Sequence, residues 1–354
     1  MNDRKNILII INNLRSGGSQ KQAVLYANQL AVDNDVYFLI LRGFNQTNLF
    51  FSYLIDSRVN QVAVKSSSPV LLVATMIRLL VSNRFDYCIN FQPIANFLGA
   101  VFSKIFQRKT VVVCTVRGNA PVNYKYIKWW IKLADIIWVN SQQILDVLST
   151  KFQIPASKML LQHNLVETNA RNDSYKEGYI LHVGRFNQVK NQMQLIRAFT
   201  QLDHKSELEL HLVGEIEDLS YYNEVLALIK AKNIENVFIH TKTNQLTAYY
   251  QNAELFVLTS KSEGMPNVIL EAQSFGVPVI SSSVGDVAKI IKHGENGFIY
   301  DFREESLIHC INEYFMMKGE EKLKLRELSI KELEIFAFDN NVSLLRNLEM
   351  KLKK

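Results

Sequence analysis

Residues 6–41 read NILIIINNLRSGGSQKQAVLYANQLAVDNDVYFLIL. An aliphatic run from Asn6 to Ile11 gives way to a polar loop holding Gly17 and Gly18. The next segment places Ala23, Ala27, Leu30 and Ala31 on a helical period, and a second apolar run starts at Val36. Strand, glycine turn, helix and strand in that order predict a βαβ unit in a parallel sheet buried on both faces. Paired glycines let the backbone approach a ligand closely, and the helix N-terminus behind them offers free N–H groups and a positive dipole end. A phosphate fits there; a plain loop is the competing reading, because the G-x-G-x-x-G fingerprint is absent.

Outward from this unit the rhythm continues. Apolar runs at Tyr87 to Phe91, Val111 to Val116 and Ile136 to Val139 alternate with helix-period segments. After the polar stretch ETNARNDSYKE (167–177) the pattern restarts at Tyr179 to Val183, Leu208 to Val213, Val237 to His240, Leu255 to Leu258 and Val277 to Ile280. Turn-formers and charges at 164–177 read as a linker. A chain of 354 residues exceeds the size at which one core stops growing. The expected fold is therefore α/β with two Rossmann-like domains, an N-terminal one over 1–168 and a C-terminal one over 169–325. Residues 326–354, apolar at helical spacing among many charges, are expected as a helical segment packing back toward the N-terminal domain.

Composition narrows the function. With 48% hydrophobic and 21% charged residues the chain is globular. Its three cysteines, Cys88, Cys114 and Cys310, lie far apart and read as reduced core residues of a cytosolic protein. The N-terminus offers no signal peptide, and the longest apolar stretch, Pro69 to Val81, is interrupted by Arg78 and too short to span a bilayer. Up to residue 170 there are 18 Lys+Arg against 8 Asp+Glu, a net +10; the remainder, 22 against 26, is −4. Such segregation suggests an anionic partner for the N-terminal half. The run YKYIKWWIK (124–132) sets Lys125, Lys128 and Lys132 on one side and Ile127, Trp130 and Ile131 toward another, which suits an interfacial helix on an anionic membrane or a core helix with a lysine stripe. No nucleic-acid motif appears.

Two further motifs carry chemistry. VGRFNQVKN (183–191) follows the first strand of the second domain, so Arg185 and Lys190 stand where loops line the ligand crevice of a parallel sheet and can clamp a diphosphate. EGMPNVILEAQSFGVPV (263–279) is the most specific signal. Pro266 suits the first helical turn and Gly276 the helix end. Glu263 then lies in the loop and Glu271 on the helix, its side chain leaning back toward the helix N-terminus, so both carboxylates can approach one ligand. Carboxylates accept hydrogen bonds from vicinal hydroxyls, as on ribose or a sugar. Asp33-Asn34-Asp35 resembles an acidic metal motif but precedes a strand, as a helix-to-strand turn does. His182, His211 and His240 fall in strand-like runs and lack metal-ligand spacing.

Together Gly17-Gly18, Arg185 with Lys190, and Glu263 with Glu271 resemble the glycosyltransferases of family 4, retaining enzymes of the GT-B fold, in which two Rossmann-like domains face a central cleft. The resemblance implies that the glycine loop approaches the donor phosphates, that Arg185 and Lys190 hold the diphosphate, that Glu263 contacts the donor sugar and that Glu271 binds the ribose. Gly264, Met265, Pro266 and Asn267 are implied to line the donor site, and Arg185, Lys190 and Glu263 to be catalytic. Residues 282–300, with Gly285, Gly294 and Gly297, are similar to the family's downstream segment, with Ala288-Lys289 where many members carry Pro-Glu. Arg117 stands where many members place an acceptor-side histidine; it cannot act as a base and is suited to hold either an acceptor phosphate or the sugar diphosphate.

The implied activity is retaining, metal-independent transfer, without cofactor or metal. It moves a hexose or N-acetylhexosamine from a UDP-sugar to a saccharide or lipid-linked acceptor in surface glycan assembly. The expected place is the cytoplasm or the inner face of the membrane, with no nucleic-acid partner. A sugar-nucleotide 2-epimerase of the same architecture and a non-catalytic nucleotide-sugar-binding module remain the alternatives.

Overall fold

A computed structural model describes residues 4–45, 49–118, 130–167, 178–203, 207–241, 246–336 and 344–353. The chain divides into two compact units, residues 1–165 with 341–354, and residues 166–340. Each unit is a parallel sheet covered by helices.

The first unit's strands are β1 (Asn6–Ile11), β2 (Asp35–Ile40), β3 (Asn60–Ala63), β4 (Tyr87–Phe91), β5 (Val111–Val116), β6 (Ile136–Val139) and β7 (Met159–Leu161). Their spatial order is β3-β2-β1-β4-β5-β6-β7, every pairing parallel. Sequence order reverses between β1 and β4, which makes the end of β1 a switch point where the flanking helices part and leave a crevice. β1 and β4 are apolar almost throughout, as a strand covered on both faces must be. Leu8, Ile10, Leu39 and Cys88 pack on one side under helices Pro69–Ser82 and Pro93–Phe106. The last helix, Leu344–Leu352, buries Leu344, Leu345 and Leu348 in this unit, and Asn347 donates to Gln162 Oε1 at 2.6 Å.

The second unit comprises β8 (Tyr179–Val183), β9 (Leu210–Val213), β10 (Val237–His240), β11 (Ala253–Leu258), β12 (Val279–Ser282) and β13 (Phe298–Tyr300). Their order is β10-β9-β8-β11-β12-β13, again parallel, with the switch point between β8 and β11. Alternate residues serve the two faces. Ile180, Leu210, Leu212, Leu255 and Val257 join the core under helices Gln192–Phe199, Leu219–Ala231 and Glu304–Met316. Leu181, Val183, Phe256 and Leu258 join the other, with helix Asn267–Ser274. Helix Gly319–Glu332 belongs to this second unit. The fold expected from the sequence, two Rossmann-like parallel-sheet domains, is the one found. Cys88, Cys114 and Cys310 are free and buried.

Candidate functional site

At the second unit's switch point the loops after β8 and β11 face each other. The loop 184–191 is shaped by its own side chains. Asn187 Oδ1 accepts from the N–H groups of Val189 (3.0 Å) and Lys190 (2.9 Å), tightening the turn. The Gln192 amide donates to the carbonyls of Gly184 (3.2 Å) and Arg185 (3.0 Å). The other loop then pins it: the Thr259 hydroxyl lies 3.1 Å from the carbonyl oxygens of both Lys190 and Asn191, and Lys261 N donates to Val189 O at 2.8 Å.

This framework brings Lys190 and Glu263 together. Lys190 Nζ stands 2.5 Å from Glu263 Oε1, and the two side chains are only 17% and 16% exposed. Sequence reasoning gave each a separate target on a ligand; in the structure each is the other's partner. Glu263 is held from behind as well. Asp286 N donates to Gly264 O at 2.9 Å, and Gly285 lies against this turn with φ +53. A Cβ on Gly285 would meet Gly264 O at 2.1 Å, so only glycine lets the two loops close. Arg185 is less confined. Its side chain is 47% exposed and pairs with Glu217, which also accepts from the Asn187 amide.

Pro266 is the residue preceding helix Asn267–Ser274 rather than part of its first turn, and Gly276 lies two residues past its end. Gly264, Met265 and Pro266 are buried, with the Met265 side chain in the core beneath the loop, while Asn267 is half-buried. Glu271, on the helix, accepts a hydrogen bond from the hydroxyl of buried Tyr250 at 2.9 Å. Burial, and then the charge of Glu271, hold that phenol well above its ordinary pKa, so Tyr250 remains a donor and fixes one carboxylate oxygen. Beneath the loops, His182 on β8 donates from Nδ1 to Val257 O (2.9 Å). Burial lowers its pKa to about 4, and the nearby Lys190 charge acts in the same direction, so it is neutral near pH 7. His182 Nε2 and Ser260 Oγ, both buried, have no hydrogen-bond partner.

In the first unit Gly17 precedes helix Gly18–Leu30, and no side chain caps that helix. Gly17 has φ 170, ordinary extended backbone, and an added Cβ would meet only the flexible end of Gln20. The backbone itself therefore imposes no glycine here. Arg117 follows β5 with its guanidinium 4.5 Å from the Trp138 ring, 5.0 Å from Phe91 and 5.8 Å from Tyr26. Its Nη1 donates to Asn164 Oδ1 at 2.8 Å, whereas Nε and Nη2 meet no acceptor in hydrogen-bonding geometry. Burial lowers the Arg117 pKa to about 10, which leaves it charged at neutral pH.

Asp33-Asn34-Asp35 lies in a turn entering β2, where the Asn34 amide donates to Leu30 O at 2.9 Å. Asp35 is level with Asn6, the start of β1, whereas Gly17 follows its end. In YKYIKWWIK, residues 124–129 lie outside the described residues. Trp130, 2% exposed, packs in the core with Val112, Cys114 and Ile137, so it is not an interfacial side chain.

Residues that sequence reading missed are Glu217, Thr259 and Tyr250. The first two follow β9 and β11, and the rule that pointed to Arg185, that loops at strand C-termini line the crevice, applies to both. Nothing in the sequence singles out Tyr250, whose partner lies 21 residues away.

Residues 167–331 match the family model described as glycosyl transferases group 1. The matched segment holds Arg185, Lys190, Glu263 and Glu271. The chain is 24% identical over 315 residues to the amylovoran biosynthesis glycosyltransferase AmsD of Erwinia amylovora, covering 85% of this chain and 87% of that one. It is 30% identical over 240 residues, 62% of each chain, to the N-acetylgalactosamine-N,N'-diacetylbacillosaminyl-diphospho-undecaprenol 4-alpha-N-acetylgalactosaminyltransferase of Campylobacter jejuni. Another alignment spans about half the length of its relative. Among solved structures, Anabaena HepE in complex with UDP-glucose superposes with a TM-score of 0.81 over 99% of this chain and 100% of that one, at 16% identity. The fold is GT-B. The group 1 match and the relatives support a glycosyltransferase of that fold.

Proposed function

We propose that the protein is a retaining, metal-independent glycosyltransferase of family 4 that takes a UDP-hexose or UDP-N-acetylhexosamine and glycosylates a saccharide or lipid-linked acceptor in bacterial surface glycan assembly. The observation that carries this reading is the largely buried Lys190–Glu263 pair at the β8/β11 switch point, with Arg185 on the same loop as Lys190. Cations at the C-terminal ends of parallel strands suit a diphosphate, and a carboxylate within reach suits the sugar attached to it. Two of the relatives are by name glycosyltransferases, one of amylovoran biosynthesis and one acting on a diphospho-undecaprenol saccharide.

In this scheme Glu271, steadied by Tyr250, accepts the ribose hydroxyls. Lys190 and Arg185 hold the diphosphate and stabilise the charge that grows as the bond from the sugar anomeric carbon to phosphate oxygen breaks. The electron pair leaves with that oxygen. An acceptor hydroxyl bonds to the same face of the anomeric carbon and passes its proton to the departing diphosphate. Glu263 orients the sugar, and Arg117, charged at neutral pH, holds a phosphate on the acceptor side. The two lysine and arginine charges do the work that a divalent cation does elsewhere.

The experiment is to incubate the protein with UDP-, GDP- and ADP-sugars, with and without a lipid-linked diphospho-saccharide, and to identify products by mass spectrometry. Transfer from a UDP-sugar, retained anomeric configuration and full activity in EDTA are expected. Isomerisation of the donor without acceptor would mark an epimerase, and loss of activity in EDTA restored by manganese would end the metal-free reading.

A further inference from the structure

Helix Pro69–Ser82 reads PVLLVATMIRLLVS, with Thr75, Arg78 and Ser82 as its only polar residues. A helix apolar on every side belongs in a core. This one buries only Met76, Leu79 and Leu80 against the sheet and leaves Val70 (75%), Val81 (69%), Leu71 and Val73 exposed. Thr75 turns its hydroxyl back to Leu71 O (2.7 Å) and so adds no outward donor.

The neighbouring helix Pro93–Phe106 is inverted. Its buried face is made of small residues, Ala95, Gly99, Ala100 and Ser103, with Asn96. Gly99 sits so tightly on Asn90 that a Cβ would fall 1.8 Å from Asn90 Oδ1. Of its large side chains Leu98 and Phe102 pack against the core, whereas Ile94, Phe97, Ile105 (63%) and Phe106 are exposed. Ile94, Phe97, Val101 and Ile105 recur at three- and four-residue intervals and form one outward stripe. Two adjacent helices thus present a continuous apolar face, larger than scattered surface residues explain.

The charge around this face has one sign. Between residues 57 and 134 there are 11 Lys+Arg and one acidic residue, Asp86. Asp86 accepts from Asn6 N at 2.8 Å, and the carboxylates just outside this interval are paired, Asp56 with Arg58 and Asp135 with Lys104. Arg78 lies on the outward side of the first helix, Arg84 follows its end, and Arg108 and Lys109 follow the end of the second; all four are exposed.

We propose that helices Pro69–Ser82 and Pro93–Phe106 dock the first unit flat onto an anionic lipid bilayer, their apolar side chains entering the acyl boundary and Arg78, Arg84, Arg108 and Lys109 meeting the headgroups. No described helix is long and apolar enough to cross a membrane, so the mode is interfacial. Cations near anionic lipid contribute about fivefold each to affinity, and buried apolar side chains add to that. A protein partner would need a complementary acidic surface; the bilayer supplies apolar depth and negative charge in one body.

The test is flotation of the whole protein with vesicles of phosphatidylcholine alone and of phosphatidylcholine with phosphatidylglycerol. Two variants are compared, Leu71→Asp/Phe97→Asp/Ile105→Asp and Arg84→Glu/Arg108→Glu/Lys109→Glu, each checked for an unchanged circular dichroism spectrum and midpoint. Wild type is expected to float with phosphatidylglycerol vesicles and to be released by salt. The apolar variant should bind at least about tenfold more weakly and the charge variant about a hundredfold. The proposal is overturned if wild type stays unbound at low salt, or if the apolar variant floats like wild type. It is equally overturned if neither floats while wild type forms a dimer, in sedimentation velocity, that the apolar variant abolishes; the face would then bind a second copy.

Discussion

The Lys190–Glu263 pair makes a prediction about the ligand-free protein that does not depend on knowing the substrate. Losing one partner of a fully buried ion pair costs about 3–5 kcal/mol, because the other charge is left unpaired in a poor solvent. Here about a sixth of each side chain remains in water, so screening lowers the expected cost of Lys190→Met or of Glu263→Gln to about 2 kcal/mol. Replacing both together removes the stranded charge. The double variant should therefore lose about 1–2 kcal/mol less than the sum of the singles. Urea unfolding at pH 7.5, followed by intrinsic fluorescence, measures all four proteins; equal slopes let the midpoints be compared. Singles within about 0.5 kcal/mol of wild type, or a strictly additive double variant, would show that the two groups do not pair in solution.

His182 gives a pH prediction. Its folded pKa of about 4 lies below the unfolded value of about 6.5, so its neutral form contributes stability above pH 6.5 that is lost as pH falls toward 4. At pH 5.5 the loss is about 1.4 kcal/mol, and it should vanish from the pH dependence of urea midpoints in His182→Gln; an unchanged dependence refutes the assignment. Glu217→Gln removes the exposed carboxylate that competes for Arg185 and should tighten UDP binding by about two- to fivefold, the weight of an exposed pair, in calorimetric titration; weaker binding would mean that Glu217 itself serves the ligand.

Both sheets were legible in the sequence because nearly all their inner strands are near-continuous apolar runs separated by helical periods. The strands that escaped notice, β3, β7 and β13, are all sheet edges of three or four residues. β3 begins Asn60-Gln61, exposed and polar, and offers no apolar run to recognise. In the site, Arg185, Lys190, Glu263 and Glu271 were visible because loop position after a strand and helix spacing are local properties. The Lys190–Glu263 pairing was not, since it joins loops 73 residues apart and depends on the β8–β11 adjacency that only the folded sheet creates. Nor was the outward face of helix Pro93–Phe106. Its periodicity reads as an ordinary core helix until Gly99 on Asn90 shows which side is turned inward.

Calorimetric titration of UDP into wild type and Glu271→Ala asks directly whether the second unit holds a nucleotide-sugar through the residues at its switch point. UDP is expected to bind wild type, and the variant about ten- to a hundredfold more weakly, the weight of a charged hydrogen-bond partner. Failure of UDP and other nucleoside diphosphates to bind wild type, or equal UDP affinity in the two proteins, would contradict this reading of the site.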